Sequence, residues 1–252
     1  MKSFALFGAG RMAQAIYVAA AASPDYSIDA VISRNRPDWL TGVPFYGSLD
    51  EVDQRPEVLI DFSLPAGTQA AAKWCHDSGV PLLSGVTGFD QALREQLTET
   101  ARTVPVLWSA NLSIGVNLLA GLCRQAAGRM PVGTTVLIHD IHHQGKKDAP
   151  SGTALMLADT IRPALPTGCP EVRIHSVREG AIIGQHRVVF TLSGETLEFS
   201  HEAADRSVYA TGALAAAAWL SGQSAGLYQA SDWLFGSKSM GHGSGECSPE
   251  LT

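Results

Sequence analysis

Short apolar runs alternate with longer amphipathic segments along the first half of the chain. The runs predict β-strands at residues 2–7, 27–32, 58–60, 80–83 and 104–108. The segments between them predict α-helices at about residues 11–22, 67–78 and 91–103. Since short buried strands that alternate with helices are typical of βαβ units, the pattern predicts an α/β domain with a parallel, doubly wound sheet.

The pattern of the second half is different. A helix predicted at residues 118–130 is followed by an extended run at 134–138 that leads to His142. After a further helix behind Ser151, the chain predicts an antiparallel or mixed sheet with Ser193-Gly194 as a hairpin turn and strands at 172–177, 184–192 and 195–201. A last helix is predicted at 208–220, and the Gly/Ser-rich residues 236–252 are expected to be disordered.

Composition narrows the classes of function. The 252 residues carry a formal net charge of −6, which argues against nucleic acid or an anionic membrane as a partner, so an anionic ligand needs a local basic site. The four cysteines have no metal-ligand spacing, and no metal site is predicted. The first residues predict a strand rather than an export signal, and the most apolar segment is far shorter than the ~20 residues of a membrane span. A cytoplasmic protein with reduced thiols is expected.

A glycine-rich turn follows the first predicted strand. Gly8, Gly10 and Ala13 form the pattern G-x-G-x-x-A, with Arg11 and Met12 at the start of the helix. The two glycines allow a tight turn and a close approach to a pyrophosphate, which then lies at a helix N-terminus. The position after the first strand favours a Rossmann-type dinucleotide site over a tight turn without a ligand.

The end of the second predicted strand indicates which dinucleotide binds. The acid that usually contacts the ribose 2′-hydroxyl is absent there, and Ser33, Arg34 and Arg36 occupy this segment. A hydroxyl and guanidinium groups suit a 2′-phosphate, because arginine can bind it with two hydrogen bonds. NADPH is therefore expected as the preferred cofactor and NADH as a second candidate. The alternative is that both arginines are solvated loop charges.

The segment HHQGKKDAPSGTA concentrates charge and imidazoles at residues 142–154. His142 and His143 are adjacent, so their rings point to opposite sides of an extended chain, and Lys146 and Lys147 follow. A histidine can exchange a proton near neutral pH, and a lysine can fix an anion. The segment predicts an acid/base site beside a basic one, with structural histidines as the alternative.

Ser151 directly precedes a predicted helix and is a natural N-cap. Gly152 and Thr153 behind it leave backbone N–H groups accessible, and these groups bind carboxylate or phosphate at the positive end of the helix dipole. Together with the nearby lysines, this helix start predicts a site for an anion with two carboxylates. A capped helix after a solvated basic loop is the alternative.

Longer motifs resemble those of one family. IHHQGKKDAPSGTA resembles the signature E-x-H-H-x-x-K-x-D-A-P-S-G-T-A of dihydrodipicolinate reductases. GAGRM, DFSLP, GVTGF, SANLSIGVN, VREGAIIGQH and HEAADRSVYATGALAAAAWL are similar to further motifs of that family, so the match covers most of the chain. The resemblance implies NAD(P)H-dependent reduction of 4-hydroxy-tetrahydrodipicolinate to tetrahydrodipicolinate in diaminopimelate and lysine biosynthesis, with a hydride from NADPH and a proton from His142.

The resemblance also implies a layout and a set of site residues. Residues 1–113 and 207–235 would form the dinucleotide-binding domain, and the inserted α+β domain, 114–206, would bind the dicarboxylate substrate and build a homotetramer. His142 and Lys146 would be catalytic, and the substrate would contact His143, Ser151, Gly152 and Thr153. The cofactor would contact Gly8, Gly10, Arg11, Met12, Ser33, Arg34, Gly85, Thr87, Ala110, Asn111, Leu112 and Arg206.

The chain departs from the family's pattern at several positions. The glycine turn is one residue shorter and ends in Ala13, Ser33 replaces an acid, and Asp140 stands where glutamate is usual. Lys147 adds a second lysine without an assigned role. Two other functions stay open: a different NADP-dependent imine or semialdehyde dehydrogenase, and a catalytically silent NADP-binding sensor. Neither of these needs a pocket for a dicarboxylate.

Overall fold

Seven short strands form one parallel sheet in the computed structural model, which describes residues 1–236. They are β1 (Lys2–Phe7), β2 (Tyr26–Ile32), β3 (Phe45–Tyr46), β4 (Val58–Asp61), β5 (Leu82–Ser84), β6 (Pro105–Trp108) and β11 (Gly226–Tyr228). Their spatial order is β11-β6-β5-β4-β1-β2-β3, and all pairs are parallel. The predicted doubly wound parallel sheet is confirmed.

Helices cover both faces of this sheet. On one face, α1 (Arg11–Ala21) and α6 (Ser207–Leu220) pack together over the side chains of Phe4 and Leu6. On the other face, α2 (Pro65–Ser78) and α3 (Gln91–Thr100) cover Leu59 and Leu82. Because α6 and β11 come from the end of the described chain, C-terminal segments complete the structure that the first half begins.

The remaining strands form a second, mixed sheet. These strands are β7 (Thr135–His142), β8 (Arg173–Arg178), β9 (Gly184–Thr191) and β10 (Thr196–Ala203), in the order β10-β9-β7-β8. The pair β7/β8 is parallel and the other two pairs are antiparallel. The helices α4 (Ile114–Ala127) and α5 (Gly152–Ile161) pack on one face over Ile138 and Phe190, and α7 (Ala230–Phe235) packs against α4. The mixed sheet predicted for the second half is therefore confirmed.

The element boundaries differ from the predicted ones in ways that have local causes. α4 begins at Ile114 rather than at residue 118, because the Ser113 hydroxyl accepts a hydrogen bond from the Val116 N–H and caps the helix. β7 runs on to His142, so that this histidine is the last strand residue. The strands β3 and β11 and the helix α7 were not predicted, since two to six residues are too few for a periodic pattern. The stretch expected to be disordered lies, beyond Gly236, outside the described residues.

Candidate active site

A cleft of about 540 Å³ lies where the loops of the parallel sheet face the ends of β7 and α5. Most of the chemistry-bearing residues singled out in the sequence line this cleft: Thr87, Ala110, Asn111, His142, His143, Lys146, Ser151, Gly152, Thr153 and Arg206. Lys147, Asp148 and Tyr209 line it as well. The structure thus brings the charged segment, the start of α5 and the loops after β5 and β6 to one cavity.

One hydrogen bond joins the two halves of the cleft. Asn111, in the loop after β6, donates through Nδ2 to the Thr153 hydroxyl in the first turn of α5, at 3.0 Å. The Asn111 carbonyl in turn accepts a hydrogen bond from Asn117 Nδ2 in α4. This network holds the loop after the parallel sheet against the helix start that the sequence predicts as an anion site.

The start of α5 has the predicted cap. The Ser151 hydroxyl accepts a hydrogen bond from the Ala154 N–H. Helix geometry leaves the N–H groups of Gly152 and Thr153 without an intrahelical acceptor, and the space over Gly152 is open. Ser151 itself is 2% exposed, and its N–H and hydroxyl both donate to the Asp140 carboxylate. Gly152 and Thr153 are therefore the members of the triplet with amides free to meet a ligand.

His142 is almost fully buried at the inner end of the cleft. Its Nδ1 lies 3.0 Å from Asp140 Oδ1, although the ring N–H direction is off the line of a hydrogen bond. Burial lowers the pKa of His142; the Asp140 charge raises it, but the cations Lys146 and Arg178 and the imidazole of His186 lower it further, and the result is about 4. In the free protein His142 is therefore mainly neutral at pH 7.

Lys146 is held at the cleft by an ion pair. Its Nζ lies 2.8 Å from Asp148 Oδ2, and the lysine side chain is 23% exposed. That pairing lowers the pKa of Asp148, chiefly through the hydrogen bond from Lys146. Within residues 1–236, Lys147 and Arg206 line the same cleft without an ion-pair partner. The cleft consequently carries uncompensated positive charge in an acidic protein, which suits an anionic ligand.

Three groups that the sequence did not assign to the site meet behind His142. Asp140 is fully buried and contacts Arg178 from β8 and His186 from β9. Ligand atoms of Asp140, His142 and His186 lie within 4.8 Å of one another, an arrangement that could hold a metal ion. The Arg178 guanidinium lies 3.0 Å from the same carboxylate, and this positive charge opposes a cation there. The donor set therefore fits a hydrogen-bonded charge cluster better than a metal centre.

The sequence contained one signal that could have placed Asp140 in the site, namely its spacing of two residues from His142. Residues i and i+2 of a strand face the same side, so an acid two positions before His142 falls beside it once β7 includes both. Arg178 and His186 carry no such local signal. They reach the site because β8 and β9 pair with β7 in a register that the sequence does not reveal.

A second cavity, of about 310 Å³, lies along the glycine-rich turn of the parallel sheet. The predicted cofactor residues Gly10, Arg11, Met12, Gly85 and Thr87 line it, together with the segment 62–65 after β4. Thr87 lines both cavities, so the two spaces are neighbours. This arrangement lets a long ligand run from the glycine turn to the cleft that holds His142.

The backbone of the turn fits a dinucleotide. Gly8 has φ of +109°, and a Cβ there would lie 2.6 Å from the Phe62 carbonyl oxygen, so only glycine is tolerated. Gly10 caps α1 in an extended conformation, with open space where a Cβ would stand. The first N–H groups of α1 therefore face a space that phosphate oxygens can enter.

Four of the predicted cofactor residues lie outside both cavities, as far as the described chain shows: Gly8, Ser33, Arg34 and Leu112. Ser33 and Arg34 follow β2, which pairs with β1 beside the glycine turn, and the Arg34 side chain is exposed. Leu112 is buried in the core with α6, where its carbonyl oxygen occupies the space that a Cβ on Gly212 would need. Its side chain is therefore part of the core, and its contact with the cofactor stays a prediction.

The described residues include no helix that is long and apolar enough to cross a membrane.

Comparison with known proteins matches both halves of the chain to one family. Residues 2–112 match the family model "Dihydrodipicolinate reductase, N-terminus", and residues 115–234 match "Dihydrodipicolinate reductase, C-terminus". The chain is 40% identical over 227 residues to the 4-hydroxy-tetrahydrodipicolinate reductase of Xanthomonas campestris pv. campestris (strain B100), covering 88% of this chain and 93% of that protein. The enzyme of the same name from Acinetobacter baumannii (strain AYE) is 37% identical over 210 residues, which are 77% of each chain.

A solved structure shows the same fold. The dipicolinate-bound dihydrodipicolinate reductase from Paenisporosarcina sp. TG-14 superimposes with a TM-score of 0.83 at 23% identity, covering 91% of this chain and 97% of that one. The match extends across both sheets, and the resemblance predicted from the motifs is confirmed. The chain therefore belongs to the dihydrodipicolinate reductase family, whose members are oxidoreductases.

Proposed function

We propose that the protein reduces 4-hydroxy-tetrahydrodipicolinate to tetrahydrodipicolinate with a nicotinamide cofactor, as a step of diaminopimelate and lysine biosynthesis. The observation that carries the proposal is the single cleft that joins His142, Lys146 and the open N-terminus of α5 to the loops beside the glycine turn. A cleft of this kind can hold an anion with two carboxylates against a nicotinamide ring. The activity named for the 40% identical relative agrees with it.

Two parts of the cleft would hold the two carboxylates. The amides of Gly152 and Thr153 offer hydrogen bonds and the positive end of the helix dipole to one of them. Lys146 offers a charge to the other, with His143 lining the adjoining wall. Ser151 supports this arrangement from beneath through Asp140, since its own donors are already used. Two fixed anion sites orient the ring in a single way.

His142 is the residue that would supply the proton. When bound, the nicotinamide cofactor would supply a hydride to the conjugated cyclic imine that forms when 4-hydroxy-tetrahydrodipicolinate loses water. The carbon next to the one that takes the hydride then needs a proton. The imidazole of His142 lines the cleft next to Lys146, and its partners Asp140 and His186 keep it in place. Lys146 stabilises the negative charge that develops on the substrate before proton transfer.

NADPH is the proposed preferred cofactor. Gly8, Gly10 and the first turn of α1 would hold the pyrophosphate, and Ser33 and Arg34 at the end of β2 would meet the 2′-phosphate. We expect a higher kcat/KM with NADPH than with NADH. Arg34→Ala should lower kcat/KM for NADPH by about 10- to 10²-fold and leave the value for NADH nearly unchanged, because a charge-assisted hydrogen bond contributes roughly 1.5–3 kcal/mol.

Steady-state kinetics with both cofactors checks this preference. Arg102→Ala is a matched control, since that arginine is also exposed, forms an ion pair with Glu99 on α3 and lines neither cavity. Equal efficiency with the two cofactors in the unmodified protein, or an equal loss with both in Arg34→Ala, would contradict a contact with the 2′-phosphate.

The proposed layout follows the two sheets. Residues 1–113 and 207–235 would form the cofactor domain, and residues 114–206 the substrate domain. The outer face of the mixed sheet carries half-buried apolar side chains, among them Leu137, Ile141 and Val189, and no helix of the described chain covers it. We propose this face as the interface of a homotetramer, and sedimentation velocity would show the state in solution.

Titration with pyridine-2,6-dicarboxylate in the presence of NADPH tests both the dicarboxylate pocket and the role of His142 as the proton donor. Binding is expected, with net proton uptake at about pH 6. The pKa of His142 is about 4 in the free protein, and two added negative charges nearby must raise it. Protons are taken up when the pH lies between the pKa of His142 in the free protein and its pKa in the complex. The uptake should therefore vanish at a pH well above both values.

Calorimetry in two buffers of different ionisation enthalpy measures the proton uptake. His142→Gln should still bind the dicarboxylate but without this uptake. A failure to bind would favour a different NADP-dependent dehydrogenase or a cofactor sensor, because neither needs the pocket. Binding without any uptake in the unmodified protein would remove His142 from its role.

A further inference from the structure

Asp140 is a buried charge with an unusual number of donors. It is fully buried, and its carboxylate accepts hydrogen bonds from the Ser151 N–H at 2.9 Å, the Ser151 hydroxyl at 2.6 Å, the Ser176 hydroxyl at 3.1 Å and Arg178 Nη2 at 3.0 Å. Burial alone would raise the pKa of Asp140, but hydrogen bonds from His186, Ser151 and Arg178 outweigh it and hold the pKa well below its usual value. The group is therefore a carboxylate at neutral pH.

The register of the mixed sheet places this charge at a junction. Asp140 pairs across the sheet with Ser176 on β8 and with His186 on β9. His142 lies two residues further along β7 on the same face, and Ser151 is the N-cap of α5. One carboxylate thus contacts both the proposed proton donor and the cap of the proposed carboxylate-binding helix.

We propose that Asp140 is a positioning residue that holds His142 and the N-terminus of α5 in one arrangement and stabilises the protonated form of His142. This inference rests on the proposed function, because it concerns the acid of that reaction. Asp140 touches neither cavity, so it acts through His142 and Ser151. A carboxylate with these two contacts couples the site that binds the anion to the site that protonates it.

The charges that face His142 determine the direction of the effect. Asp140, on the same strand, favours the imidazolium, while Arg178 on β8, His186 on β9 and Lys146 in the following loop oppose it. Lys147, Asp148 and Arg206 line the same cleft. Loss of the Asp140 charge leaves the opposing cations uncompensated, so His142 must give up its proton at lower pH.

The test reads the protonation of His142 directly. NMR of histidine-labelled protein, assigned with His142→Gln and recorded with and without pyridine-2,6-dicarboxylate, follows this imidazole, and kcat is measured over the same pH range. Asp140→Asn should move the titration midpoint of His142 to lower pH by about one unit or more and move the alkaline decline of kcat in the same direction. Asp140→Glu keeps the charge, so the titration midpoint of His142 should lie close to that of the unmodified protein.

Two further variants separate positioning from general support of the fold. Ser176→Ala removes a donor to the same carboxylate but keeps its charge, and His142 should titrate as it does in the unmodified protein. Arg178→Gln removes an opposing cation and should move the His142 midpoint to higher pH, which keeps the test decisive if Asp140→Asn does not fold. A merely structural role predicts lower activity at every pH with no shift of the midpoint.

The inference is overturned if folded Asp140→Asn titrates His142 as the unmodified protein does, or if Arg178→Gln leaves the midpoint in place. Failure of the proposed function has a different signature, namely no turnover of 4-hydroxy-tetrahydrodipicolinate and no binding of the dicarboxylate. In that event the titration of His142 in the free protein still reports the effect of the Asp140 charge.

Discussion

Replacement of His142 by glutamine is expected to lower kcat by about 10² or more, the range typical for loss of a general acid. Glutamine has nearly the length of histidine and keeps hydrogen-bonding atoms, but it cannot donate a proton to carbon. The side chain is 8% exposed and is packed against His186, so the substitution should leave the cleft and its anion sites in place. The loss should appear in kcat, with a smaller change in KM.

His76→Gln is the matched control for this experiment. His76 is an exposed histidine on α2, where its Nδ1 lies 3.0 Å from the Thr103 hydroxyl, and it lines neither cavity. Its substitution should change kcat by less than about twofold, in line with surface changes away from a site. Steady-state kinetics with saturating NADPH measures both variants. Equal activity of His142→Gln and His76→Gln would remove the proposed proton donor.

Lys146→Ala is expected to lower kcat by a similar ~10², and in addition to raise the KM of the substrate. The ammonium group is paired with Asp148 in the free protein and lines the cleft, so a bound carboxylate would share its charge. Its removal takes away both a contact to the substrate and the stabilisation of the charge that develops on it. The alanine variant also leaves Asp148 at the cleft without its partner, which repels a dianion.

The control for Lys146 is Lys73→Ala. Lys73 forms an exposed ion pair with Asp77 on α2, in which Nζ lies 2.6 Å from Oδ2. Neither residue lines the cleft. This pair resembles Lys146–Asp148 in chemistry but has no access to the substrate, so its loss should leave kcat and KM nearly unchanged. A Lys146→Ala enzyme with the kinetics of Lys73→Ala would contradict the proposed role.

The sequence could predict the parts of the site that lie within one segment. The glycine turn after β1 and the N-cap of α5 could be predicted, because a turn, a cap and a helix start depend on adjacent residues. The alternation of strands and helices predicted the parallel sheet for the same reason. The charged segment before α5 was found by its composition, and the structure places His142 and Lys146 of that segment at one cleft.

What could not be predicted depends on distant residues. Arg178 and His186 reach Asp140 because three strands pair in one register, and nothing in the local sequence of β8 or β9 specifies that register. The hydrogen bonds of Ser151 show the same limit. Its position predicted a contact with the ligand, and Ser151 does line the cleft, but the position gave no sign that its N–H and hydroxyl bind the buried carboxylate of Asp140.

The proposed reductase activity is tested by the oxidation of NADPH, followed by its absorbance, when the purified protein is coupled to a dihydrodipicolinate synthase. The substrate is then formed in place, and tetrahydrodipicolinate should accumulate in proportion to the NADPH consumed. We expect turnover that needs both the synthase and this protein and that falls by about 10² with His142→Gln. NADPH consumption no faster than the background of the synthase alone would contradict it.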